Sequence, residues 1–225
     1  MSAALVDIAG LDVRFGEQRA VAGVDLTLAA GEVVGLVGES GSGKSTLARA
    51  LLGLLPHGAQ LSADRLRFDG QDLTSLDARS WQRLRGARIG LVLQEPLTSL
   101  NPALRVGEQL AEGLRVHKGV SRREALLAAA RALEQVRMDD PAAALRRYPH
   151  EFSGGQRQRI LIASTLLLEP RLIIADEPAT ALDALVGDEI LDLIGAQASR
   201  LGAAVLMISH DLSQVARLAE QIGRA

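Results

Sequence analysis

Apolar and polar residues alternate from Leu5 to Phe15 and again over Val24-Asp-Leu-Thr-Leu28, the period-two pattern of half-buried strands. Glu32-Val-Val-Gly-Leu-Val37 and Arg88-Ile-Gly-Leu-Val-Leu93 are short apolar runs of the kind buried strands carry, and Leu172 to Ala175 and Ala203 to Ile208 repeat them. Thr46 to Leu55 reads as a helix stopped by Pro56, and Leu66-Arg-Phe68 as a strand followed by a turn at Asp69-Gly70. From about Pro96 to Leu168 the texture is helical. Ser121-Arg-Arg-Glu124 forms a capping box before an alanine- and leucine-rich run to Val136, and Asp140-Pro141 sets a cap residue before proline. A further helix is expected near Asp183 to Leu201. The pattern predicts one α/β domain: a core over about 1–95 and 166–225, with an all-helical insertion over about 96–165.

Composition narrows this little. The chain has 225 residues, 48% of them hydrophobic, enough to bury a substantial core. Its formal net charge of -2 gives no electrostatic reason to expect nucleic acid as a partner. Cysteine is absent, which excludes disulfides, thiolate metal sites and thiol catalysis within the chain. The start MSAALVDIAG lacks the pattern of a signal peptide, and no apolar run reaches membrane-spanning length, so any membrane link is expected to come through a partner.

The chemistry starts at Gly38-Glu39-Ser40-Gly41-Ser42-Gly43-Lys44-Ser45, a full match to G-x-x-x-x-G-K-[ST] between an expected strand and an expected helix. The glycines let successive backbone N–H groups curl around phosphate oxygens. Lys44 supplies a point charge to the β- and γ-phosphates, the Ser45 hydroxyl is a candidate Mg²⁺ ligand, and Thr46 a candidate α-phosphate contact. Leu172-Ile-Ile-Ala-Asp176 ends an apolar strand in a carboxylate suited to hold Mg²⁺ directly or through water. Glu177 follows it, placed to polarise a water. There is no N-K-x-D motif for reading guanine. These residues point to a nucleoside triphosphatase.

A second candidate anion site lies far along the chain. Ser153-Gly154-Gly155-Gln156 opens an apolar stretch, with a helix expected near Gln156 whose N–H groups and dipole favour an anion. The order of these pieces resembles the ATP-binding cassette (ABC) ATPases over essentially the whole chain. That resemblance implies a P-loop core with an N-terminal antiparallel β-subdomain and an inserted α-helical subdomain. Ser153 to Gln156 is similar to the family's LSGGQ signature, Gln94 to its Q-loop, Ala181-Leu182-Asp183 to its D-loop and His210 to its switch histidine, while Phe15 lies where an aromatic meets adenine. The resemblance implies ATP and Mg²⁺ as cofactors, and a head-to-tail pair of cassettes in which each Ser153 loop caps the partner's ATP. It further implies Glu177 and His210 at the attacking water, Gln94 as a Mg²⁺ and water sensor, and Asp183 acting across the interface.

Gln94-Glu-Pro-Leu-Thr-Ser-Leu-Asn-Pro102 and Tyr148-Pro-His-Glu-Phe-Ser153 resemble the dipeptide, oligopeptide and nickel importer branch. Membership there implies an ATPase that energises uptake through a separate permease, fed by an extracytoplasmic solute-binding protein, with the cassettes peripheral on the cytoplasmic face of the membrane. Phe152 stands where leucine is usual and Ala179 where threonine is common. The chain ends 15 residues past His210, so the C-terminal end of the usual cassette is expected to be missing from it. Three alternatives stay open: an ABC ATPase not coupled to transport, a regulatory cassette that binds ATP without hydrolysing it, and an exporter cassette.

Overall fold

The computed structural model describes residues 4–94, 99–180, 182–219 and 221–224. Its chain builds two sheets of different kinds. The first is antiparallel: β1 (Val6–Phe15) pairs with β2 (Gln18–Leu28), β4 (Ala59–Ser62) and β5 (Arg65–Phe68), and β6 (Gln71–Asp72) extends β5. Val6, Ile8, Leu11 and Val13 of β1 are buried. The three-residue step from Ile8 to Leu11 breaks strict alternation, and the β1–β2 register shifts there. Gly10, at φ +59°, absorbs the extra residue as a bulge.

The second sheet is wholly parallel, in the order β10 (Gln221–Arg224), β3 (Val33–Val37), β9 (Ala204–Ser209), β8 (Leu172–Asp176), β7 (Ile89–Val92). Its central strands are continuous apolar runs because both faces are covered. Leu172, Ile174 and Leu206 point into a core shared with the antiparallel sheet and with α1 (Lys44–Leu51). Ile173, Val205 and Met207 point the opposite way, into a core shared with α6 (Gly154–Leu166) and α7 (Ala184–Leu201).

Between β7 and β8 the chain is helical: α3 (Val106–Lys118), α4 (Arg122–Gln135), α5 (Pro141–Ala144), a 3₁₀ turn at Pro149–Glu151, and α6. The Ser121–Glu124 capping box forms as the sequence predicts. Asp140 caps the single turn of α5. Two shorter helices, α2 (Ala78–Leu84) and α8 (Leu212–Leu218), complete the fold. No described helix is long and apolar enough to cross a membrane.

Several boundaries differ from the sequence expectation, and three of them have a visible cause. The helix expected to reach Leu55 ends at Leu51, because Gly53 turns left-handed and Arg85 donates to the carbonyls of Leu52 (2.7 Å) and Gly53 (2.6 Å). These bonds satisfy carbonyls that the helix end leaves open. The helix expected near Gln156 starts two residues earlier, at Gly154, because Ser153 caps it. The strand expected over Val24–Leu28 begins at Gln18, directly after the turn that follows Phe15.

Candidate functional site

Every strand of the parallel sheet from β3 to β7 ends on the same side, and β3, β7, β8 and β9 each lead into one of the predicted segments. Gly38 follows β3, Asp176 ends β8, His210 follows β9, and Gln94 lies two residues beyond β7. Register pairs Val37 with Ser209 and Asp176 with Ile208, so these ends lie level. The crevice beyond the carboxyl ends of parallel strands is where such sheets take their ligands.

Residues 38 to 43 wrap the mouth of α1. The N–H of Ser42 donates to Glu39 O at 3.2 Å, and Gly43, at φ +96°, turns the loop into the helix. A Cβ at Gly43 would lie 2.2 Å from the carbonyl oxygen of Ala20 on β2. No other residue type fits there without moving the loop. Lys44 is only 5% exposed, and its ammonium donates to Gly38 O and Glu39 O, both at 2.7 Å, and to Ser42 Oγ at 3.3 Å. The cation thus folds over the loop that carries it. Ser40 to Thr46 line a cleft of about 750 Å³ that also includes Phe15, Arg19 and Glu177. Phe15 is half-buried, resting on the core beneath the antiparallel sheet with part of its ring left to the cleft.

Behind the loop, the Ser45 hydroxyl donates to Asp176 Oδ1 at 3.1 Å. Burial pushes the Asp176 carboxyl above the usual carboxylate range; neighbouring Glu177 adds to the rise, while the Ser45 hydrogen bond, Arg49 and Lys44 oppose it. Asp176 forms no ion pair among the described residues. A half-buried carboxylate with no cationic partner, beside a hydroxyl oxygen, is a donor set that suits Mg²⁺. That ion uses one or two protein carboxylates and takes its other ligands from phosphates and water. No cluster of three or more His, Cys, Asp or Glu able to hold a metal occurs among the described residues.

Glu177 has φ +50°, a left-handed conformation uncommon for this residue type. Its N–H donates to Ile208 O at 2.9 Å, tying the ends of β8 and β9 together. His210 Nδ1 lies 3.2 Å from Glu177 Oε1. The Thr180 hydroxyl donates to Glu177 Oε2 at 3.1 Å, a contact that sequence reasoning missed. The spacing of three residues across a turn was the available signal. A carboxylate offers about four acceptor positions, so these two contacts leave room for a water.

The Ser153 loop stands elsewhere. Ser153, Gly154, Gly155, Gln156 and Asp183 are not among the residues lining the cleft. Ser153 and Gln156 form a reciprocal cap: the Gln156 N–H donates to Ser153 Oγ at 3.3 Å and the Ser153 N–H to Gln156 Oε1 at 3.0 Å. A Cβ at Gly155 would lie 2.7 Å from Val186 on α7, so the loop needs glycine to seat against that helix. Asp183 caps α7, its Oδ1 accepting from the Val186 N–H at 3.1 Å. Gln94 is exposed. Of the segment after it, Glu95, Pro96, Leu97 and Thr98 lie outside the described residues, as does Ala181 of the expected D-loop.

A family model described as ABC transporter matches residues 21–180. Over 222 residues the chain is 44% identical to the oligopeptide transport ATP-binding protein OppD of Salmonella typhimurium, covering 97% of this chain and 66% of that protein. It is 40% identical to the dipeptide transport ATP-binding protein DppD of Escherichia coli, covering 97% and 68%. The chain therefore spans 66–68% of the length of these curated relatives. Among solved structures, the ATP-binding cassette MJ0796, a dimer in a post-hydrolysis state with ADP and Pi, matches with TM-score 0.82 and 29% identity over 97% of this chain and 93% of that one. The cbiO1 protein of Clostridium perfringens, part of the ABC transporter complex cbiONQ, matches with TM-score 0.84 and 26% identity over 98% and 84%.

Proposed function

The chain belongs to the ABC transporter family, and from that premise we propose that it is the ATP-hydrolysing subunit of an importer for peptides or similar small solutes. A separate membrane permease and an extracytoplasmic solute-binding protein would complete the system. The observation that carries the reading is the pair of contacts at the carboxyl end of the parallel sheet, Ser45 with Asp176 and Glu177 with His210, beside the Lys44 loop. The OppD and DppD relatives, named for oligopeptide and dipeptide transport, support the solute class. The location that follows is peripheral, on the cytoplasmic face of the membrane, held there by the permease.

ATP enters with its phosphates in the loop of residues 38 to 46 and its adenine against Phe15. Lys44 exchanges its loop carbonyls for phosphate oxygens. Ser45 and Asp176 would hold Mg²⁺, with Gln94 reaching the same ion, and the bound ion would offset charge on the phosphates. Glu177 holds the attacking water and takes its proton as the new P–O bond forms and the bond to the β–γ bridging oxygen breaks. His210 orients the water or the γ-phosphate from the next strand end. The Ser153 loop stands outside the cleft of its own chain, and we assign it to the γ-phosphate held by a second cassette, identical or different, with Asp183 at that interface.

The test is the mass in solution of Glu177→Gln with and without Mg·ATP, beside ATP hydrolysis by the parent. The reading expects a parent that hydrolyses ATP and a variant that binds ATP, does not hydrolyse it and pairs in its presence. A variant that hydrolyses at the parent rate removes Glu177 from the mechanism.

A further inference from the structure

Gln158 is the one fully buried side chain among the described residues that carries an orphaned polar atom. It lies on α6, four residues after Gly154, between the exposed end of that helix and the sheet. Its amide nitrogen donates twice, to Leu93 O at 3.2 Å and to Pro178 O at 2.9 Å. Leu93 is the residue before Gln94, and Pro178 the residue after Glu177. Its Oε1 has no partner. The orientation of the amide is forced: both neighbours are carbonyls, which only accept, so both must face the NH₂ group.

A buried carbonyl left without a donor costs free energy that an apolar side chain of the same shape avoids. Glutamine at this position is therefore explained by the two donations it makes. They reach two loops with which α6 shares no backbone hydrogen bond among the described residues. The Pro178 anchor also completes the restraint on Glu177. That residue is held left-handed by Ile208 O on its N–H side and by Gln158 on the carbonyl of the next residue. Strained backbone persists only where its surroundings determine it from more than one side.

We propose that Gln158 is a positioning residue that clamps the backbone beside Gln94 and beside Glu177 to the helix that Ser153 caps, so that the three move as one body. A displacement of α6, on which the Ser153 loop is mounted, is then carried to the attacking-water site without passing through the nucleotide. The catalytic consequence rests on the ATPase reading above, whereas the clamp itself does not.

The experiment compares the full chain with Gln158→Met, which keeps the length and removes the amide, and with Gln158→Glu, which turns acceptors toward two carbonyls. Amide hydrogen exchange is read without nucleotide, and ATP hydrolysis with it. The clamp expects exchange about tenfold faster in peptides containing Gln94 and Glu177 together, with the β1–β2 hairpin unchanged. It also expects kcat about tenfold lower with KM within about twofold, and Gln158→Glu worse than Gln158→Met. Acceleration in one of the two peptides alone, acceleration spread evenly over the chain, or a Gln158→Glu variant as good as the parent each overturns it. If Gln158→Met does not fold, Gln158→Asn, one methylene too short to reach both carbonyls, is judged by the same exchange pattern. A parent that hydrolyses no ATP would refute the ATPase reading, and the exchange pattern would still decide the clamp.

Discussion

Ser153 performs two tasks under the proposed function, and one substitution separates them. As a cap it accepts from the Gln156 N–H, and the loss of such a cap costs about 1 kcal/mol. For a domain of this size that is a fall in Tm of about 2–4 °C, the result expected for Ser153→Ala. Aspartate caps helices as well as serine does, so Ser153→Asp should melt within about 1 °C of the parent. Its charge would, however, face the partner's γ-phosphate. Two unit charges about 4 Å apart at an effective dielectric of about 20 repel by about 4 kcal/mol. At about 1.4 kcal/mol per tenfold, ATP-dependent pairing should weaken by about a thousandfold. The assay places both changes in the Glu177→Gln background and reads mass in solution against Mg·ATP, with thermal melting alongside. If Ser153→Asp pairs at the ATP concentration the background variant needs, Ser153 does not face a phosphate, and its part in this structure is the cap alone.

Gly43→Ala forces a Cβ to within 2.2 Å of Ala20 O at a positive φ; it should destabilise the chain by about 1–3 kcal/mol and abolish nucleotide binding by titration. Thr180→Val keeps the shape of the side chain but removes the hydroxyl on Glu177 Oε2, and should lower kcat about 3–10-fold with KM unchanged in steady-state assays. Asp176→Asn gives a pH signature. Because burial raises the folded-state pKa of this acid, its proton contributes stability that is complete below the unfolded value of 3.8 and is lost as pH rises through the folded value. Above that window the ionised carboxylate is a penalty that asparagine lacks. Nucleotide-free Asp176→Asn should therefore melt above the parent at neutral pH, with the gap closing as pH falls through that window toward 3.8, and should lose Mg²⁺-dependent binding.

The cleft was legible because its chemistry is written in consecutive residues. Gly38 to Ser45 and Asp176-Glu177 need only a strand before them to be placed, and continuous apolar runs marked those strands. What escaped was set by distant contacts. The short strands β4 and β6 and the helices α2 and α8 are too brief for a period to show, and β1 and β5 or the parallel sheet hold them. The early end of α1 depends on Arg85, more than thirty residues away. Gln158 sits between Arg157 and Arg159 and reads as one more solvated residue; only the approach of Leu93 O and Pro178 O reveals it. Thr180 belongs to no motif legible in the sequence; its hydroxyl reaches Glu177 only because the chain turns between them, one residue beyond Ala179.

The left-handed backbone of Glu177 has a consequence for how this sequence can change. Glycine, asparagine and aspartate enter that region most readily, and none of them places a carboxylate where glutamate does. Under the proposed mechanism, the most comfortable residues at this position are the inert ones. Screening variants for heat resistance alone would drift toward a better-folded protein that no longer turns over, and a gene copy released from its duty would fall silent before it fell apart.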